Sequence, residues 1–89
     1  MTTSDKRSIS FEPADTLELA LFFRANKEVF HEIWVVLTKK KYANPQPVSF
    51  NEAIAEAVKQ GLIDSQTKTL NEEKYAIRFT RRRARALKL

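Results

Sequence analysis

The chain has no cysteine, and among its 89 residues there is one glycine, one histidine and one tryptophan. Without cysteine there can be no disulfide and no thiolate metal site, which suits a reducing compartment. One histidine alone makes no transition-metal ligand set, so neither a metal nor a cofactor is expected. One glycine cannot build a glycine-rich phosphate loop, which removes the common nucleotide-binding signatures. No apolar run approaches the ~20 residues that span a bilayer. The polar start MTTSDKRSIS has no apolar core of the kind a secretory signal needs, and a cytoplasmic location is the expectation.

Acid is also missing from one region. Residues 74–89 hold seven Lys/Arg and no Asp or Glu, whereas residues 1–73 hold nine Lys/Arg and eleven acids. The formal net charge of +5 therefore comes entirely from the C-terminal end. Hydrophobic residues make up 43% and charged residues 30%, the balance of an ordinary globular domain. A single domain is expected over residues 9–83, with a disordered N-terminus at 1–8 and a basic tail at 84–89.

Local patterns give the elements. Ile9 to Phe11 reads as a short extended segment closed by Pro13. Asp15 stands three residues before Glu18, a capping-box spacing, and Leu17, Ala20, Leu21 and Arg24 follow at helical intervals. A helix is predicted over 16–26. Residues 31–38, HEIWVVLT, are β-branched, aromatic and nearly all apolar, which predicts a central strand. Asn44-Pro-Gln-Pro47 interrupts any regular structure and makes the longest loop. Ser49-Phe-Asn-Glu52 is a capping box opening a second helix over 50–60, and Gly61 sits at the position that favours positive φ after a helix. Two further strands, 62–70 and 75–80, flank the turn at Asn71-Glu-Glu-Lys74 and form a hairpin.

The fold expected is therefore α+β, in the order (β)αβαββ. A small, largely antiparallel sheet of three to four strands carries two helices on one face. Tyr75, Ile77 and Phe79 should face the helices, with Arg78 and Thr80 on the other side. Trp34, or its neighbours, should join the core. A rival reading takes the second helix and the hairpin as the back of a winged helix, with Asn71-Glu-Glu at the wing tip. Two acids there would repel phosphate.

Four ordered segments carry a resemblance. They are Trp34 with Lys39-Lys40; Ser49-Phe-Asn-Glu-Ala53 with Glu56-Ala57; Gly61-Leu-Ile-Asp64; and Tyr75-Ala-Ile-Arg-Phe-Thr80 followed by arginines. Together they resemble the N-terminal module of the bacterial YdeI/OmpD-associated protein family, the bacteriocin-protection type. The match departs at Leu62, where that family has Trp, and at Arg81, where it has Pro. The family's C-terminal helical region has no counterpart here. The resemblance implies a non-enzymatic accessory module in bacterial stress and antimicrobial-peptide resistance, binding a protein or small ligand. It makes Trp34, Lys39, Asp64 and Arg78 the candidate ligand-binding residues, Asp64 first among the polar ones because that family keeps it.

Each candidate has a plainer role. His31 reads as a strand-edge residue, Asp64 as a turn residue bonded to backbone donors, and Trp34 as core. No paired acid and base can be assigned, and no enzymatic activity is expected. The alternative function is nucleic-acid binding by Lys74, Arg78, Arg81, Arg82, Arg83 and Arg85. Were about five phosphates met, log K would fall against log salt with a slope near −4.5. The plain reading of the same cations is a solvated strand edge and tail.

Overall fold

The computed structural model of the chain describes residues 8–82. Of the N-terminus expected to be disordered over 1–8, Ser8 instead opens a strand and 1–7 lie outside these residues, as do Arg83, the expected end of the domain, and the basic tail at 84–89. The elements run β1 (Ser8–Phe11), α1 (Thr16–Asn26), β2 (Glu32–Thr38), α2 (Phe50–Lys59), β3 (Leu62–Thr69) and β4 (Lys74–Arg81), with one 3-10 turn at Lys40–Tyr42. This is the expected βαβαββ order. The four strands form one sheet in the order β1-β2-β4-β3. β2 and β3 each pair antiparallel with β4, while β1 lies parallel to β2. The sheet is thus mixed, because α1 carries the chain back across it between the two parallel strands β1 and β2. The winged-helix alternative does not form.

Capping chemistry sets the helix starts. Asp15 accepts from the Glu18 amide at 2.8 Å, and the Glu18 carboxylate reaches back to the Ala14 amide. At α2 the box is complete: Ser49 Oγ accepts from the Glu52 amide and Glu52 Oε1 accepts from the Ser49 amide. Val48 and Ala53, at the two staple positions around that cap, are both buried. α2 stops at Gly61, whose φ is +78°. Asn71 Oδ1 accepts from the amides of Glu73 and Lys74 and turns the β3–β4 hairpin.

Alternation decides the faces. Ile33, Val35 and Leu37 of β2 and Ile77 and Phe79 of β4 are buried beneath the helices, together with Leu19 and Phe23 of α1 and Ala53 and Ala57 of α2. Phe23 meets Phe79 edge to face at 5.3 Å, and Phe22 stacks on Phe11 at 4.0 Å, so α1 is anchored to both an inner strand and the edge strand β1. Tyr75 packs partly buried against the same cluster. Trp34 does not join it. Period two sends its neighbours Ile33 and Val35 inward, and the indole comes out on the opposite face, half-buried.

A Cβ added at Gly61 would meet nothing within 4 Å, so a substitution there is opposed by backbone conformation alone. Gly61→Ala is expected to destabilise by about 1 kcal/mol, and Ser49→Ala by about the same through loss of the cap. In a domain this small each kcal/mol lowers Tm by about 4–8 °C, which thermal unfolding would register.

Candidate functional site

Among the described residues no helix covers the second face of the sheet, and its side chains form cross-strand rows. One row runs Ser10, Trp34, Arg78 and Gln66 across β1, β2, β4 and β3. The next holds Val36, Ala76 and Lys68. Beyond it Thr38 pairs with Lys74, and at the opposite end Thr80 pairs with Ile63. Every described residue of β3 except Leu62 is exposed.

A hydrogen-bonded frame holds the centre of this face. Arg78 Nη2 donates to Glu32 Oε2 at 2.8 Å, and the Trp34 indole Nε1 donates to Glu32 Oε1 at 3.3 Å. On the other side Arg78 Nη1 donates to Ser65 Oγ at 3.2 Å, and that hydroxyl donates to the Arg78 carbonyl at 3.3 Å. Ser65 reaches Arg78 because the pairing shifts between Asp64 and Gln66, leaving it opposite no partner. The frame runs Trp34–Glu32–Arg78–Ser65 and fixes the indole edge and the guanidinium plane together. Its hydrogen bond from Arg78, aided by the one from Trp34 and by nearby positive charge, holds the Glu32 carboxyl below its ordinary range, against a smaller opposing effect of burial.

Two clefts adjoin across this frame. One, of about 250 Å³, is lined by Ser10, Trp34, Val36, Lys68, Leu70 and Ala76, and is mainly apolar. The other, of about 530 Å³, is lined by His31, Glu32, Arg78, Thr80, Arg81 and Arg82, and is mainly polar, although the Arg81 guanidinium itself turns to the helix side.

The structure separates the candidate residues. Trp34 and Arg78 are cross-strand neighbours on the open face. Asp64 pairs with Phe79 and so shares the helix-side face, where it is exposed at the edge strand. A site combining Trp34 with Asp64 is therefore not assembled. Lys39 lies just past β2, its amide bonded to the Glu73 carbonyl at 2.7 Å, at the Lys74 end of the sheet. His31 is exposed immediately before β2.

The cations of the alternative set are dispersed too. Lys74 pairs with Glu12. Arg81 faces the helix side, donating to the Lys27 carbonyl at 2.6 Å with Glu28 3.9 Å away. Arg82 follows the strand, its amide bonded to the Gly61 carbonyl. Arg83 and Arg85 lie outside the described residues. Glu32, Ser65 and Lys68 are the site residues that pattern reading missed. The alternation Glu32, Trp34, Val36, Thr38 within a strand read as nearly all apolar was the signal that could have found the first.

Among the described residues no three His, Asp or Glu side chains gather as metal ligands, and no helix is long and apolar enough to cross a membrane.

The Glu32 geometry sets a pH dependence. Since its carboxyl is lowered in the folded state, the unfolded chain takes up the proton first as pH falls. The pair's contribution is complete above about pH 4.3 and is lost progressively below it. Urea unfolding should find Glu32→Gln less stable than the parent at pH 7, by about 1 kcal/mol for this partly exposed pair. The gap should narrow at pH 3.

Comparison with known proteins gives one match. Residues 11–87 fit the model of a family described as a domain of unknown function, DUF8412. No curated protein and no solved structure matches the chain. A match over that length includes both helices, all of β2 to β4 and the framed open face, and the chain therefore belongs to the DUF8412 family.

Proposed function

We propose that this chain is a non-catalytic binding module whose receptor surface is the open face of the sheet around Trp34 and Arg78. One observation carries the reading. A tryptophan occupies the middle of a central strand and is turned away from the core, in a hydrogen-bonded frame that fixes its orientation. An aromatic held rigid at a solvent-facing surface gives contact area at small entropic cost, the property of binding anchors. The polar groups beside it argue against chemistry. Glu32 is held ionised by Arg78, which suits it poorly to general acid or base work near neutral pH. Ser65 is engaged by the same arginine.

The resemblance to the YdeI/OmpD-associated proteins supports an accessory role in bacterial stress and antimicrobial-peptide resistance, in the cytoplasm, with a protein or small ligand as partner. The competing reading, a nucleic-acid grip made by the arginine-rich C-terminus, is weakened by the pairing of Lys74, Arg78 and Arg81 with groups of this same fold.

A fragment screen read by amide NMR tests the proposal. Bound fragments should perturb Ser10, Trp34, Val36, Lys68 and Ala76 together, and Trp34→Ala should remove those shifts. Fragments that bind only the helical layer, or none that bind at all, would refute it.

A further inference from the structure

We infer that the ligand of the open face is single-stranded nucleic acid, laid across Trp34 and flanked by cations on both sides. This rests on the receptor reading above for the surface, and puts a nucleic acid in place of the protein or small ligand that the resemblance implies. The charge on the two sides of the molecule is the first ground. Asp15, Glu18, Glu28, Glu52 and Glu56 belong to the helices and their ends. Among the described residues, the carboxylates on the open side short of the hairpin turn are Glu32 and Glu12, and each is neutralised, by Arg78 and by Lys74. Lys68 makes no ion pair with the described residues, and Arg82 lines the cationic cleft beside Thr80 and His31. Among the described residues the surface offers phosphate no unpaired carboxylate near Trp34.

The second ground is the order of groups along the face. Lys68 and Leu70 lie on one side of the indole, in the apolar cleft. His31, Thr80 and Arg82 lie on the other, beyond the Glu32–Arg78 pair. From Val36 to His31 along β2 is a span of about 17 Å at the usual rise of ~3.3 Å per residue. That is room for a short run of nucleotides lying flat, one base on the indole and phosphates at either end. Any base presents a π-face, so a single aromatic flanked by cations gives binding with little sequence preference. The turn acids Glu72 and Glu73 bound the lane at its far end and favour an exit towards Arg82.

This arrangement differs from a basic tail gripping any polyanion. A tail needs only charge, whereas the lane requires the indole. The probe is an oligothymidylate of about ten nucleotides, within the usual site sizes for such surfaces, titrated at low salt and read by amide NMR and Trp34 fluorescence. Binding should perturb Lys68, Trp34, Arg78, Thr80 and Arg82 together. With about two phosphates met, by Lys68 and Arg82, log K should fall against log salt with a slope near −1.4, so that threefold more salt costs about fivefold in affinity. Trp34→Ala should weaken binding about tenfold or more while Trp34→Phe retains most of it. Lys68→Glu, an exposed change that leaves the core untouched, should weaken it severalfold. Shifts confined to Arg82, with Trp34→Ala and Lys68→Glu binding like the parent, would overturn the inference in favour of simple tail contact. No binding at low salt would overturn it as well, and if fragments still perturbed the Trp34 face, the receptor reading would stand without it.

Discussion

Everything in this small fold follows from the alternation along its two central strands. β2 and β4 lie side by side, and each sends every second residue under the helices. Ile33, Val35 and Leu37 meet Ile77 and Phe79 there, and α1 and α2 close over them. Because the period is two, the same arrangement fixes what must come out on the other side: Glu32, Trp34, Val36, Arg78 and Thr80. Slipping either strand by one residue would exchange core and surface entirely. The receptor surface is therefore specified by the same contacts that specify the core.

Both helices of the described residues lie on one face of the sheet, and among those residues the other face stays open. Elsewhere such a face would be uniformly polar. Here a tryptophan stands at its centre, with Leu70 and Ile63 exposed nearby, and an ion pair locks the indole's polar edge. The Glu32–Arg78 pair does little for stability at its degree of exposure. Its larger effect is orientation: both side chains lose freedom in the absence of ligand, so less remains to be lost on binding. At the sheet's other end, Lys27 ties α1 to Gln60 at the end of α2, and Arg81 ties β4 to the α1 terminus. The basic end of the chain thus begins as part of the architecture.

Much of this was legible in the sequence. Both helices, the capping box at Ser49, the positive φ at Gly61 and the hairpin around Asn71 each have a local chemical cause, and local causes can be read locally. The parallel pairing of β1 was not legible, since a strand of four residues carries no signal of direction. Trp34 was harder. Its strand is apolar at nearly every position, so composition placed the indole in the core, and only the one-sided covering of the sheet turns it outward. Arg78 was correctly set against Ile77 and Phe79, but its partner Glu32 is 46 residues away and Ser65 meets it only through a break in register. Asp64 was drawn into the site by resemblance, and the hairpin register places it on the other face.

The claim that Trp34 is a binding residue and not a core residue can be tested most directly by comparing two truncations in urea. Phe79→Ala removes a fully buried ring and should destabilise the domain by about 3–5 kcal/mol. Trp34→Ala should lose no more than about half as much, since its ring is only half-buried on the open face. A Trp34→Ala variant as unstable as Phe79→Ala would make the indole a structural element and contradict the account.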